Sequence, residues 1–117
     1  PELKVSPTTV PVPVLRSHSE SINVETEEPI EPEEVRALLR GAEGVCVVDD
    51  PERLEYPMPL DASGKDPVFV GRIRKDPTVD HGINMFVVGD QIRKGAALNA
   101  VQIAERAIAK GWLRVRR

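Results

Sequence analysis

Val68-Phe69-Val70-Gly71-Arg72-Ile73-Arg74-Lys75 and Ile83-Asn84-Met85-Phe86-Val87-Val88 decide how this chain folds. Both stretches are short, apolar and rich in β-branched residues. Asp76-Pro77 and His81-Gly82 supply turn chemistry between them, so two adjoining strands are predicted. Arg72 and Arg74 share parity, which places both guanidinium groups on one face of the first strand. Upstream, Gly44 to Val48 is a third apolar run, closed by Asp49-Asp50-Pro51, and reads as a buried strand. Ile22-Asn23-Val24-Glu25-Thr26 alternates apolar and polar side chains and predicts a strand with one buried face. Val5 to Leu15 is also β-branched, but Pro7, Pro11 and Pro13 each remove a backbone donor. It reads as an edge strand or an irregular extended segment.

Helices flank these strands. Val35 to Arg40 is a short amphipathic helix, with Glu33 and Glu34 at its first turn, Pro32 near its start and Gly41 as its stop. Glu52 to Pro67 carries Pro57, Pro59 and Gly64 and is a long connection, of the kind that serves function or an interface. Proline is absent after Pro77, and Asp90 is expected to cap the longest helix, from Gln91 to about Lys110, with Gly111 ending it. Ile92, Ala96, Ala100, Ile103 and Ala107 form one stripe, and Ala97, Val101, Ala104 and Ile108 the adjoining one. An apolar arc that wide needs contact on more than one side. The predicted class is α/β (α+β): a partial mixed β-sheet with helices, ending in a long helix.

A chain of 117 residues, 40% hydrophobic and 30% charged, is one small folding unit rather than a disordered segment. Its 16 Lys+Arg against 19 Asp+Glu give a formal charge of −3 and no global attraction to nucleic acid or anionic membrane. No apolar run approaches the ~18 residues of a transmembrane helix, and no secretory leader pattern is present. A single cysteine fits a reducing compartment, so a cytoplasmic protein is expected. The tail from Lys110 joins Trp112 to Arg114, Arg116 and Arg117, the minimal recipe for a nucleic-acid contact. It reads instead as a solvated terminus whose cations complement a helix end.

His18, flanked by Ser17, Ser19 and Glu20, is the foremost candidate for chemistry. An imidazole on a polar segment between extended elements can be a general base, but taken alone it reads first as an ordinary surface or hydrogen-bonded histidine. A Ser-His-acid hydrolase is excluded, because adjacent residues point in different directions and no Gly-x-Ser-x-Gly elbow occurs. Cys46, in an apolar run ahead of two carboxylates, reads as a core thiol. One Cys with His18 and His81 far apart lacks metal-ligand spacing, so no metal is expected, and His81 reads as a turn residue.

Several segments together resemble the C-terminal part of bacterial aspartate-β-semialdehyde dehydrogenase. They are Val12-Pro13-Val14 with His18-Ser19-Glu20-Ser21, Val47-Val48-Asp49-Asp50-Pro51, Tyr56-Pro57-Met58-Pro59-Leu60-Asp61-Ala62, Phe69 to Asp76, and Gly89 to Asn99 followed by Val101-Gln102-Ile103-Ala104. The resemblance implies a catalytic and dimerisation domain of the glyceraldehyde-3-phosphate-dehydrogenase-like type. Residues 1–89 would be part of that domain, and residues 90–117 a helix and basic tail packing toward a dinucleotide-binding domain. It implies an enzyme that uses NADPH to reduce L-aspartyl 4-phosphate to L-aspartate 4-semialdehyde, releasing phosphate, on the route to lysine, diaminopimelate, methionine, threonine and isoleucine. It also implies a homodimer or higher homo-oligomer. In that family a cysteine forms an acyl-enzyme thioester and a histidine serves as general acid/base. His18 matches that histidine, and Gln91 matches a late cofactor contact.

Two departures accompany the resemblance. The glycine-rich phosphate loop and the cysteine nucleophile are not in these residues, so the chain corresponds to about the last third of the enzyme and should not catalyse the reaction alone. Family members usually read Val-Arg-Val-Pro-Val where this chain reads Val10-Pro11-Val12-Pro13-Val14. The arginine grips the substrate carboxylate, and leaving that carboxylate unpaired costs about 2–5 kcal/mol. No substrate-binding residue is therefore assigned, and a non-catalytic remnant or paralogue serving as a dimerisation or interaction module is the alternative.

Overall fold

The computed structural model describes residues 3–113. Arg114, Arg116 and Arg117 of the basic tail lie outside them. Four strands form one mixed sheet: β1 (His18–Glu25), β2 (Val45–Val47), β3 (Val68–Asp76) and β4 (Gly82–Gly89), in the order β1-β4-β3-β2. β3 and β4 pair antiparallel as a hairpin, β1 pairs antiparallel with β4, and β2 runs parallel to β3. Helix α1 (Pro32–Arg40) is the crossover between β1 and β2, and the short helix α2 (Pro59–Ala62) lies between β2 and β3. The chain ends in α3 (Leu98–Ala109).

Side-chain alternation sorts the sheet into two faces. Val70, Ile73 and Ile83 pack with Val35 of α1 on one face, and Phe69 and Val88 pack with Ala62 of α2 on the other. Val70 and Ile73 differ in parity yet share a face, because β3 carries a bulge between Gly71 and Arg74. Arg72 there has φ +53. The parity argument for Arg72 and Arg74 therefore fails. Both are exposed, but Arg72 lies over the Tyr56 ring while Arg74 Nη1 donates to the Arg72 carbonyl.

Asp49 holds the bulge. Its carboxylate accepts the N–H of Arg72 at 2.6 Å and of Ile73 at 3.2 Å, and pairs with Arg36 Nε of α1 at 2.7 Å. Beside it, a Cβ added to Gly71 would lie 2.1 Å from the Val48 carbonyl oxygen and 2.6 Å from Pro57 Cδ. Only a residue without a side chain lets β3 pass this close to the 48–57 segment.

Three expectations are corrected. β1 begins at His18, not Ile22, because backbone pairing with β4 runs unbroken from His18 opposite Gly89 to Glu25 opposite Gly82. The polar run 18–21 sits at an exposed sheet edge, where it needs no apolar alternation. The long connection is not structureless, since Pro59 at a helix start and fully buried Ala62 make α2. The helix expected from Gln91 starts only at Leu98: Arg93–Ala97 is a wide turn broken at Lys94, Gly95 and Ala96, with Gly95 at φ +98. Val5 to Leu15 is the irregular alternative, outside the sheet. Val101, Ile103 and Ile108 of α3 are each more than half exposed, so its broad apolar arc faces outward from the described residues.

Candidate functional site

β1 places the first candidate. His18 lies opposite Gly89 and Glu20 opposite Val87, so both project on the face that carries Val68 and Val87. A cavity of about 320 Å³ opens there, with His18, Glu20, Val68 and Val87 on the sheet and Gln91, Lys94, Gly95 and Asn99 on the segment after β4. His18 and Gln91, 73 positions apart in sequence, thus share one cavity. With them stand a carboxylate (Glu20), an ammonium (Lys94, whose Nζ donates to Gln102 Oε1 at 2.8 Å) and the Asn99 amide.

Behind the cavity lies a buried polar cluster. The N–H of Ser17 donates to Gln91 Oε1 at 2.7 Å, and the Ser17 and Ser63 hydroxyls are 3.0 Å apart. An N–H can use only the oxygen of an amide, so Gln91 keeps its Nε2 group as a donor for other partners. Asp90 is completely buried and accepts from Arg16 Nη2 at 2.7 Å, the Gly64 N–H at 2.6 Å and the Ile92 N–H at 3.0 Å. Burial pushes its carboxyl pKa up, but the bonds from Arg16, Gly64 and Ile92 outweigh that and hold it at about 2.

Other candidates are elsewhere. Cys46 packs with Ala62, Phe69 and Val88 on the opposite face of the sheet from His18. His81 lies at the far end of the hairpin, its Nδ1 3.0 Å from the Glu27 carbonyl. Among the described residues no cluster of three His, Cys, Asp or Glu is suited to a metal. Pro11 is in the irregular exposed segment and does not line the cavity. Arg16 is committed to Asp90 and so is no substitute for a clamp at position 11. A second cavity of about 330 Å³, against α2, is lined by Val48, Leu54, Glu55, Tyr56, Met58 and Asp61 and holds neither His18 nor Gln91.

Sequence reasoning missed Glu20, Lys94 and Asn99 as cavity residues and read Asp90 only as a helix cap. The i, i+2 relation of His18 and Glu20 was a usable signal once the strand was known to start at 18. Nothing local marked Ser63 and Gly64 as partners of Ser17 and Asp90.

The family model described as semialdehyde dehydrogenase, dimerisation domain, matches residues 1–94. The chain belongs to this family. It is 58% identical over 111 residues to the aspartate-semialdehyde dehydrogenase of Aquifex aeolicus, covering 95% of this chain and 33% of that protein. Aspartate semialdehyde dehydrogenase II from Vibrio cholerae, solved in complex with ASA, superposes with a TM-score of 0.77 at 44% identity, over 84% of this chain and 29% of that one. The Candida albicans enzyme, solved with NADP, superposes with a TM-score of 0.67 at 32% identity, over 87% of this chain and 32% of that one. The chain spans about a third of the length of the curated relatives it matches.

Proposed function

We propose that the chain is the catalytic and dimerisation portion of an NADPH-dependent oxidoreductase of aspartate-family amino-acid biosynthesis. The reaction is reduction of L-aspartyl 4-phosphate to L-aspartate 4-semialdehyde with release of phosphate. The observation that carries this reading is the meeting of His18 and Gln91 on one cavity. His18 acts as general acid/base: it takes the proton of a thiol nucleophile and later handles the proton of the thiohemiacetal oxygen. That thiol comes from sequence other than these residues, since Cys46 is screened from His18 by the sheet.

Gln91 suits a cofactor contact, because with Oε1 held by Ser17 its remaining hydrogen-bonding group is a donor. NADPH, when bound, supplies the hydride. Residues 1–89 form part of the catalytic and dimerisation domain, the assembly is a homodimer or higher homo-oligomer, and residues 90–117 pack toward a cofactor domain. The exposed apolar residues of α3 support that placement.

In the full-length protein, His18→Asn is expected to lower kcat by about 10²–10⁴-fold, the range for loss of a general acid/base. An unchanged kcat sinks the assignment. Pro11 favours a second reading, a non-catalytic dimerisation module, because proline offers neither charge nor donor for a substrate carboxylate. A full-length protein that dimerises but shows no NADP-linked oxidation of aspartate semialdehyde in phosphate buffer would establish that reading. Measurable turnover removes it.

A further inference from the structure

His18 is the last paired residue at its end of the β1–β4 ladder, with Gly89 opposite. Terminal pairs fray unless something beyond them holds the two chains together. Here side chains continue what the backbone stops. One position outward on β1 the Ser17 N–H binds Gln91 Oε1, and two positions outward Arg16 binds Asp90. Asp90 also accepts from Gly64 at the exit of α2 and from Ile92 of its own turn, while the Ser17 hydroxyl meets Ser63. Ser17 itself is buried and sits at φ +79, a conformation a serine keeps only when its surroundings dictate it. His18 is thus bracketed by Arg16-Ser17 along its own strand and by Gly89-Asp90-Gln91 across from it.

We infer that Asp90 is a positioning residue: its buried carboxylate clamps Arg16, the α2 exit and the 90–92 turn together, holds Ser17 against Gln91, and so fixes where His18 enters the cavity. The inference rests on the proposed role of His18. Asp90 and Arg16 do not line the cavity, and Asp90 has no exposed surface with which to touch substrate. Their loss should therefore act through geometry, which a displacement of about 1 Å makes costly for a reacting group.

The test uses the full-length protein and NADP-linked oxidation of aspartate semialdehyde in the presence of phosphate, with kcat expressed per folded protomer. Asp90→Asn turns one acceptor into a donor, facing either Arg16 and Gly64, which share one carboxylate oxygen, or the Ile92 N–H. It is expected to lower kcat by about 10- to 100-fold while each KM stays within about three-fold. Should that variant not fold, Arg16 decides, because its side chain is 40% exposed and Asp90 keeps the Gly64 and Ile92 N–H donors when it is removed. Arg16→Met should show the same fall in kcat, and Arg16→Lys, which keeps the charge, should recover most of it. A role in stability alone would lower folded yield and leave kcat per folded protomer unchanged, and that result overturns the inference. A rise in KM with kcat unchanged overturns it as well, since the cluster would then serve binding. His18→Asn is measured in parallel: if it leaves kcat intact the proposed reaction fails, whereas if it lowers kcat as expected and Arg16→Met leaves kcat unchanged, only the positioning role fails.

Discussion

Asp49→Ala removes the group that holds the β3 bulge, and its cost can be worked from the structure. The Asp49 side chain is 2% exposed and that of Arg36 13%, so the pair is shielded from water. Alanine takes the buried carboxylate from Arg36 Nε, whose Nη1 and Nη2 stay on the exposed Glu33 and the Ile73 carbonyl, and strips the Arg72 and Ile73 N–H groups of their acceptor. Removing one partner of a buried pair costs about 3–5 kcal/mol. Each stranded backbone donor costs about 1–3 kcal/mol, a sum that overlaps the first rather than adding to it. About 4 kcal/mol is expected, which is close to three decades in an equilibrium constant. Hydrogen exchange in the full-length protein reads this locally: protection of the Arg72 and Ile73 amides should fall by about 10³-fold, with that of the neighbouring β3 amides falling alongside. Asp49→Asn keeps an acceptor oxygen and should lose less. Unchanged protection at residues 72 and 73 in Asp49→Ala would refute the pinning role of Asp49.

Asp90, at about 2 against an ordinary 3.8, and Asp76, lowered by bonds from Thr78 and Asn23, both bind their protons more weakly in the folded chain. The stability they add is fully present above about pH 4 and is lost as pH falls toward 2, because the unfolded state then takes up more protons. Acid unfolding followed by far-ultraviolet circular dichroism should be less steep over that window in Asp90→Asn, and an unchanged slope would count against a contribution from Asp90. The isolated 117-residue chain should bind ANS and sediment as associated species, since Leu15, Leu60, Ile103 and Trp112 are all strongly exposed. A monomeric, ANS-negative chain would show that these surfaces are covered in some other way.

The hairpin, β2 and α1 were legible because each rests on a local signal: apolar runs for β2, β3 and β4, and a proline start with a glycine stop for α1. The chemistry was legible only through the combined motifs, since His18 alone reads first as an ordinary surface histidine. What escaped was set by distant partners. The bulge at Arg72 depends on Asp49, 23 positions away, and the buried role of Asp90 depends on Arg16 and Gly64. The break before α3 had a visible cause in Gly95, but the stripe of small and apolar residues crosses it without interruption, so periodicity ran straight through a turn that the backbone does not continue. β1 was read short for the opposite reason: at an exposed edge, backbone pairing extends the strand where side chains carry no pattern.

The eight-residue ladder between β1 and β4 also separates the two ends of the molecule. Seven steps at about 3.4 Å put the 77–81 turn some 24 Å from the cavity along the strands. That turn joins a hairpin whose last pair, Asp76 with Gly82, is already closed by the bonds of Asp76 to Thr78. Added residues at its tip would loop into solvent without drawing on the ladder, which makes it the natural place for an inserted tag or a grafted peptide.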